Sequence, residues 1–337
     1  KIVFTKGYGV EIVGTDNPMT ENTSTAIGSF TKSFTALAVM QLVEKGAVRL
    51  DEPVRTYLPW FKTVNEELSS KITVRMVLGN SSGIPSRDLF VQSINRLDYD
   101  MEKVVRGLNS CILSGDPGGS FEYSNESFGI AGLIIEKASG MKYEEYIQKN
   151  ILEPLEMNRS TTDYKRFDRL KVLYGHIFDN EKAIPVKKNI NLAYLAAGAE
   201  MRCSAENIGH YLIALMNDGI YNGNKIISRE SIDEMWKRAI SFPGYAKDMG
   251  YDGKDWYYGL GWMSADMPGG NMIFHGGSTT TMTSLTAIDK ENKLGVSVLS
   301  NANSLDPYRF LTNETIVFNI FDIMRGDPVS NIGIPIK

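Results

Sequence analysis

Residues 29–43 read Ser-Phe-Thr-Lys-Ser-Phe-Thr-Ala-Leu-Ala-Val-Met-Gln-Leu-Val, and this stretch decides how the rest of the sequence is interpreted. Within residues 34–43 only Thr35 and Gln41 are polar, so a helix here would be apolar nearly all round and therefore buried. Gly46 follows, and glycine commonly ends a helix. The sequence therefore predicts a buried helix from about residue 29 to residue 46.

A hydroxyl and an amine lie three residues apart at the start of this helix. Ser29 and Lys32 would share one helix face. Serine is a weak nucleophile until a base takes its proton, and lysine becomes such a base when burial lowers its pKa from about 10.4 toward neutrality. The helix dipole favours an alkoxide at Ser29. Taken alone, such a pair is more often a cap followed by a solvated lysine.

Composition narrows the class of protein. Of 337 residues, 42% are hydrophobic and 23% are charged, which is typical of a globular protein. The net charge of -4 and the scattered basic residues argue against a nucleic-acid partner. No apolar run reaches the roughly 18 residues of a membrane span.

The ends and the cysteines of the chain carry little information. The sequence starts at Lys1 without Met and stops abruptly at Lys337, so we expect a chain trimmed at both ends, in which a missing signal peptide or anchor proves little. Cys111 and Cys203 could form one disulfide or remain two buried thiols. No Cys/His spacing indicates a metal site, and we expect no metal and no cofactor.

The order of the predicted elements indicates the fold class. Residues 1–14 alternate like the strands of a hairpin, and the pattern of residues 51 to about 195 predicts mainly helices and loops. Ser204 and Ser228 are predicted to cap two further helices. Strand-like segments follow at residues 257–263, 271–275, 282–288 and 294–299, and then an amphipathic helix at 307–324. This order predicts an α+β fold, with an antiparallel sheet made from both ends of the chain, flanked by helices.

We interpret residues 1–337 as one catalytic unit. Its α/β part would take about residues 1–50 and 195–337, and a mainly helical subdomain would be inserted at about residues 51–194. The chain is long enough for such a unit to have a substantial core.

Two further motifs follow Ser29-Phe30-Thr31-Lys32 along the chain. They are Tyr-Ser-Asn at residues 123–125 and His-Gly-Gly-Ser at residues 275–278. In order and spacing the three motifs resemble those of the class C β-lactamase and penicillin-binding-protein superfamily. Many members of that superfamily have Lys-Thr-Gly as the third motif, whereas the peptidase and esterase branches often have His-x-Gly. Further matches are residues 50–54 with 57–59, residues 72–75 with 82–85, residues 258–262 and residues 299–301, so the resemblance covers nearly the whole chain.

The resemblance implies a β-lactamase/transpeptidase-like fold and a role for each motif. Ser29 would attack a carbonyl and form an acyl-enzyme, and either Lys32 or a Tyr123 phenolate stabilised by that lysine would accept the first proton. Asn125 would bind Lys32 or the substrate amide. The backbone N–H groups of Ser29 and Ser278 would form the oxyanion hole.

The third motif would contribute to substrate binding. Gly276 and Gly277 have no side chains, so a substrate could approach this strand edge closely. His275 replaces a lysine that helps to bind a substrate carboxylate in relatives, and a neutral imidazole does this less well. Individually, Tyr123 could be a core aromatic residue, Asn125 a helix cap and His275 a plain hairpin residue, but these interpretations explain the ordered coincidence poorly.

One rival nucleophile is present. Residues 79–83 read Gly-Asn-Ser-Ser-Gly, which matches the Gly-x-Ser-x-Gly elbow of α/β-hydrolases, with Ser81 as the nucleophile. That elbow needs a strand before it and a helix directly after it, but Ile84-Pro85 follows at once. There is also no parallel βαβ alternation. The pattern therefore disfavours the elbow.

The predicted function is acyl transfer to Ser29 followed by hydrolysis. His275 in place of lysine favours a peptide amide or ester without a free carboxylate beside the scissile bond. The resemblance implies a penicillin-binding-protein-like D-stereospecific peptidase that acts on peptides containing D-amino acids, on the cell surface or in the periplasm. A carboxylesterase and a low-turnover β-lactamase are alternatives, and a sensor acylated by β-lactams without turnover is an alternative of another class. Membrane attachment would need segments outside this sequence. Residues 255–258 and 279–281 are expected near the substrate pocket.

Overall fold

The computed structural model describes residues 1–86, 100–170, 174–179, 182–187, 196–242, 256–267, 270–304 and 311–329. The α-helices are α1 Thr31–Glu44, α2 Val54–Tyr57, α3 Glu66–Ser70, α4 Val74–Leu78, α5 Met101–Gly107, α6 Asn125–Ser139, α7 Tyr143–Ile147, α8 Ala205–Met216, α9 Arg229–Trp236 and α10 Leu311–Arg325. Short 3₁₀ segments span Gly28–Phe30, Leu108–Ser110 and Tyr164–Leu170, and a π-helical turn spans Gln148–Leu152.

The strands, in chain order, are β1 Thr25–Ala26, β2 Tyr174–Asp179, β3 Lys182–Lys187, β4 Arg202–Cys203, β5 Ile220–Tyr221, β6 Asn224–Lys225, β7 Ile240–Phe242, β8 Trp256–Tyr258, β9 Met263–Met267, β10 Gly270–Ser278, β11 Thr283–Asp289, β12 Leu294–Ser300 and β13 Ala302–Ser304. The largest sheet is antiparallel, with the order β12-β11-β10-β9-β8-β7. Neighbours in sequence are neighbours in this sheet. It is therefore an antiparallel sheet in which each strand pairs with its neighbours in sequence.

The two faces of this sheet contact different helices. In β10, Ile273 belongs to the core that contains α1 and α8, whereas the next residue, Phe274, packs with Phe318 of α10. Alternate side chains of a strand point to opposite faces, so consecutive apolar residues can serve two cores. The sheet is thus flanked by helices on both faces, and the α+β fold class is confirmed.

Helix α1 lies at the centre of the molecule. Its residues from Thr31 to Leu42 are buried, including Lys32, and it packs against α6 and α9. It ends at Glu44, and Gly46 has a left-handed φ of 70°, which suits a glycine just beyond a helix end. The prediction of a buried helix in this region is confirmed, except that the chain forms a 3₁₀ turn at residues 28–30 before the α-helix begins.

The N-terminal segment differs from the prediction. Residues 1–14 contain no strand and do not join the large sheet, and an isolated bridge joins Val10 and Pro18. Gly9 and Gly14 have left-handed φ values of 74° and 84°, which interrupt the extended conformation that a strand needs. The segment turns back on itself instead, with Met19 N donating to Gly9 O. The expectation of a sheet made from both chain ends is therefore wrong.

The predicted strand at residues 257–263 is in fact two strands, β8 and β9. Gly261 interrupts it with a φ of 70°, and a Cβ at this position would lie 2.7 Å from the Lys32 carbonyl oxygen. The chain must leave the extended conformation here because it packs directly against α1.

The predicted helix caps are confirmed: Ser204 Oγ accepts from Asn207 N, and Ser228 Oγ accepts from Ser231 N.

Two further features bear on the sequence analysis. Cys111 and Cys203 are buried and do not form a disulfide. Within the described ranges, no helix is long and apolar enough to cross a membrane.

Candidate active site

Ser29 lies in the 3₁₀ turn that precedes α1. The Thr31 hydroxyl donates to Gly28 O at 2.6 Å, and Ser33 Oγ donates to Phe30 O at 2.9 Å, so two side chains of α1 secure the turn. Gly28 has a left-handed φ of 54°. Phe30 anchors the turn in the core against Trp262, while Ser29 itself remains partly exposed. The turn therefore presents one hydroxyl from an otherwise buried element.

Lys32 is fully buried directly behind that hydroxyl. Its ammonium nitrogen Nζ lies 3.2 Å from Ser29 Oγ, 2.6 Å from Asn125 Oδ1 and 2.9 Å from Gly198 O. The spacing of three residues thus places the amine and the hydroxyl side by side, as the sequence predicted.

The partners of Lys32 fit both of its protonation states. A protonated amine has three N–H groups and can donate to all three oxygens. A neutral amine has two N–H groups and one lone pair. Asn125 Oδ1 and Gly198 O can only accept hydrogen bonds, so the two N–H groups of the neutral amine would donate to them. The lone pair of the amine would then point at Ser29 Oγ. This geometry would allow Lys32 to take and return a proton without moving.

The Tyr-Ser-Asn motif brings Tyr123 and Asn125 to the same place. Ser124 Oγ accepts from Ser127 N and caps α6, so Asn125 is not the cap and its side chain is available to Lys32. The Tyr123 ring centroid lies 4.6 Å from Lys32 Nζ, and the residue lines the same pocket as Ser29. The first two motifs therefore converge on Lys32.

The third motif lies on β10, where the Ser29 turn packs against the strand edge. A Cβ on Gly277 would lie 1.8 Å from Ile27 O, and one on Gly28 would lie 2.5 Å from Ser278 N. The close approach at Gly277 is thus made by the protein's own backbone. A Cβ on Gly276 would meet nothing closer than 3.6 Å. Of the two glycines, Gly277 is the one that the fold itself requires.

The direction of the Ser278 N–H follows from the β10–β11 hairpin. Thr279 N donates to Met282 O, which makes residues 279 and 282 a hydrogen-bonded pair. Ser278 and Thr283 form the next pair, and hydrogen-bonded and non-hydrogen-bonded pairs alternate in antiparallel ladders. The Ser278 N–H therefore points away from β11, toward the turn that carries Ser29.

His275 is buried and binds neighbouring protein groups. Its Nδ1 lies 2.6 Å from Gly276 O, which can only accept, so Nδ1 carries the proton and Nε2 accepts from the Tyr258 hydroxyl at 3.0 Å. Burial, and to a smaller extent the charge of Lys32, lowers the pKa of His275 to about 3. Burial also raises the pKa of Tyr258 well above its usual value. Both groups are thus neutral near pH 7.

A pocket of about 240 Å³ opens beside Ser29. Most of its lining is apolar or aromatic, and its polar side includes Tyr123, His275 and the edge of β10. The lining residues are Ser29, Tyr123, Trp256, Met263, Phe274, His275, Gly276, Gly277, Ser278, Thr283, Ser284, Leu285, Asn313, Glu314 and Phe318. Trp256 is present as expected, whereas Tyr257, Tyr258 and residues 279–281 are not among the lining residues. Asp255 lies outside the described residues.

Sequence reasoning missed the contributions of the last helix and of Gly198. Asn313, Glu314 and Phe318 of α10 line the pocket, and Asn313 Nδ2 donates to Thr283 Oγ1 at 3.0 Å. The amphipathic pattern predicted α10 but not what its first turn faces. Gly198 contributes only a backbone carbonyl to Lys32, and such a contact leaves no side-chain signature.

Neither Ser81 nor a second cavity offers a comparable site. Ser81 follows helix α4, and no helix begins in the described residues 79–86, so the strand–elbow–helix arrangement is absent there. A cavity of about 640 Å³ lies between α5, α6 and residues 142–166. Its lining is dominated by exposed charged residues and does not include Ser29 or Lys32.

Comparisons with known proteins identify the family of the chain. A model of the family described as Beta-lactamase matches residues 1–318. The chain therefore belongs to the beta-lactamase family, and its fold class and enzyme class, a serine hydrolase, are those that the sequence predicted. It is 26% identical over 304 residues to Protein flp of Staphylococcus aureus (strain MW2), covering 90% of this chain and 58% of that protein. The chain thus spans little more than half the length of this curated relative.

Solved structures show the same fold. The octameric penicillin-binding protein homologue from Pyrococcus abyssi matches with a TM-score of 0.80 and 31% identity over 97% of this chain and 71% of that chain. The D-amino acid amidase from Ochrobactrum anthropi SV3 matches with a TM-score of 0.73 and 23% identity over 88% of this chain and 82% of that chain. The second similarity is a similarity of fold.

Proposed function

We propose that this chain is a D-stereospecific peptidase or amidase that forms an acyl-enzyme at Ser29. The observation that carries the proposal is the contact of 3.2 Å between Lys32 Nζ and Ser29 Oγ, inside a buried set of acceptors that orients the amine. A nucleophile beside an oriented base is the arrangement that covalent catalysis requires.

Acylation would begin with attack of Ser29 Oγ on the substrate carbonyl carbon. The Ser29 proton passes to Lys32 or to a Tyr123 phenolate, and the carbonyl oxygen becomes an oxyanion. The backbone N–H groups of Ser29 and Ser278 bind that oxyanion; the orientation of Ser278 supports this role. The C–N bond then breaks, the accepted proton goes to the leaving amine, and Ser29 carries the acyl group.

Deacylation would reverse the same proton transfers with water. The base takes a proton from water as its oxygen attacks the ester carbonyl, and Ser29 leaves and recovers a proton. The acid product and the original enzyme result. Because Lys32 has acceptors that suit both of its protonation states, one group can serve in both half-reactions.

The charges of the site support a substrate without a free carboxylate beside the scissile bond. The pKa of His275 is lowered to about 3, so this residue offers no cation at neutral pH. Among the described lining residues of the pocket, none is Lys or Arg, and Glu314 is acidic. A substrate carboxylate would therefore find no positive partner in the pocket itself. This disfavours efficient β-lactam hydrolysis and strict carboxypeptidase activity.

An amide or ester of a D-amino acid fits these conditions. The solved D-amino acid amidase shares the fold, and D-amino acid amides are the substrate class that we extend to this chain. The apolar lining of the pocket is also compatible with ester substrates, so a carboxylesterase is the second candidate. A β-lactam-acylated sensor without turnover is the alternative outside the enzymes. Substrates of this kind occur in cell-wall peptides, and we propose an extracytoplasmic location.

The test is hydrolysis of matched chromogenic substrates. D-alanine 4-nitroanilide, its L-enantiomer and a D-alanine 4-nitrophenyl ester are compared for wild type, Ser29→Ala and Ser81→Ala. We expect the D-anilide to be hydrolysed faster than the L-anilide, with activity lost in Ser29→Ala and kept in Ser81→Ala. Hydrolysis of the ester alone would favour the esterase. A single stoichiometric burst without a steady rate would favour the sensor.

A further inference from the structure

Glu314 is the least compensated charged group of the Ser29 pocket. It lies in the first turn of α10 and lines the pocket together with Phe318, one helical turn later. Its Oε2 atom is buried and has no hydrogen-bond partner among the described residues. An unpaired buried carboxyl oxygen is costly, so a pocket ligand toward which the Glu314 side chain can turn would supply the missing hydrogen bond.

The surroundings of Glu314 define the chemistry of that ligand. Trp256, Phe274 and Phe318 give the pocket apolar walls, and the described lining contains no cationic side chain. A ligand carboxylate would be repelled, and a neutral apolar group would leave Oε2 unsatisfied. A protonated amine supplies both a positive charge and N–H donors, and a charge-assisted hydrogen bond is about twice as strong as a neutral one.

The position of Glu314 relative to the reacting atoms is fixed by the sheet. Asn313 binds Thr283 through its side-chain amide, and Thr283 is paired with Ser278 in the β10–β11 register. The first turn of α10 therefore lies beside the part of β10 that borders Ser29. A group bound at Glu314 and a carbonyl at Ser29 can belong to one small molecule, because both residues line a pocket of about 240 Å³.

We propose that Glu314 selects substrates by binding a protonated amine that they carry. The inference rests on the proposed function, because it names the charge of the substrate for the same Ser29 site. Two sources share this chemistry: the α-ammonium group of an N-terminal D-amino acid and the ammonium group of a basic side chain. Burial raises the pKa of Glu314 to about 7, so the carboxyl is ionised in the free pocket mainly above that pH, and a bound ammonium would stabilise its charged form.

The experiment measures binding rather than turnover. D-alaninamide, N-acetyl-D-alaninamide and N-acetyl-D-lysinamide are titrated at pH 8 in the Ser29→Ala background, with Glu314 intact, with Glu314→Gln, or with Asp327→Asn. Asp327 is an exposed carboxylate just beyond the same helix, so its variant removes an equal charge outside the pocket. We expect at least one amine-bearing ligand to bind tenfold or more tightly than N-acetyl-D-alaninamide, and Glu314→Gln alone to abolish that preference.

The three ligands separate the two sources. Tight binding of D-alaninamide identifies the α-ammonium group, and tight binding of N-acetyl-D-lysinamide identifies a basic side chain. Equal affinity for all three ligands, or a preference for amines that survives Glu314→Gln, would overturn the inference. Binding of amines without any hydrolysis by the enzyme that retains Ser29 would instead refute the proposed function and leave the role of Glu314 intact.

Discussion

The two sides of the Ser29 pocket differ in how their charged groups are satisfied. On the lysine side, Lys32 has an acceptor for each of its N–H groups: Ser29 Oγ, Asn125 Oδ1 and Gly198 O. On the carboxylate side, Glu314 presents a buried oxygen without a partner among the described residues. Within the described part of the chain, the protein thus supplies partners for the lysine and leaves one oxygen of the carboxyl without a partner. We interpret the first as machinery that must be rigid and the second as a group that the substrate completes.

The largest expected effect concerns the lysine side. Lys32→Met removes the amine but keeps a long side chain in the buried space, so Ser29 loses its oriented base. We expect the rate of Ser29 acylation to fall by roughly 10²–10⁴-fold. Lys45→Met, at the exposed end of the same helix, is the matched control and should act like wild type. Stopped-flow acylation rates check this; a Lys32→Met rate within threefold of wild type would remove Lys32 from the mechanism.

The two adjacent glycines of β10 offer a sharper comparison. Gly277→Ala would place a methyl group 1.8 Å from Ile27 O, so the Ser29 turn must move, whereas Gly276→Ala meets only ordinary contacts. A displacement of about 1 Å can cost roughly 10²-fold in rate, and we expect that loss in Gly277→Ala together with a lower Tm. Gly276→Ala should keep the wild-type Tm. Thermal unfolding and labelling of Ser29 test both, and equal Tm losses would contradict the assigned packing.

The carboxylate side predicts a pH-dependent stability. The pKa of Glu314 in the folded chain is about 7, above its usual 4.5, so the folded state holds this proton more tightly than the unfolded state. The contribution of this group to the free energy of unfolding is fully present below pH 4.5 and is lost as the pH rises through 7. The side chain of Glu314→Gln cannot ionise. The free energy of unfolding of this variant relative to wild type should therefore rise by up to about 3 kcal/mol between pH 4.5 and pH 7.

Denaturant unfolding at several pH values measures this gain. Asp327→Asn provides the reference for loss of a carboxylate at an exposed position. A difference between Glu314→Gln and wild type that stays constant from pH 4.5 to pH 7 would show that the carboxyl is not perturbed by burial.

The smallest predicted effect concerns the tyrosine behind His275. Tyr258→Phe removes the hydroxyl that donates to His275 Nε2 and leaves a buried acceptor unsatisfied. This should cost about 1–3 kcal/mol in the free energy of unfolding. Because neither group titrates near neutral pH, the pH–rate profile between pH 6 and pH 8 should keep its shape. A shifted profile would show that this pair takes part in proton transfer.

The sequence predicted the proximity of Ser29, Lys32 and Asn125 because each of these residues belongs to a short sequence motif. Ser29 and Lys32 are linked by helical spacing, and Asn125 belongs to a motif that the family resemblance aligned. The carboxylate side depends on the docking of α10 onto β11, a contact between distant segments that no local pattern specifies. The N-terminal hairpin was predicted wrongly because short alternation resembles a strand even where glycines adopt left-handed conformations. The division into an α/β part and an inserted helical subdomain, with its boundaries, stays a prediction.

The most direct test of the account is covalent labelling of Ser29. The chain is incubated with a fluorophosphonate, and intact mass and peptide mapping are compared for wild type, Ser29→Ala and Ser81→Ala. The account predicts one adduct per chain on the peptide that contains Ser29, absent in Ser29→Ala and unchanged in Ser81→Ala. An adduct that disappears in Ser81→Ala and persists in Ser29→Ala would contradict it.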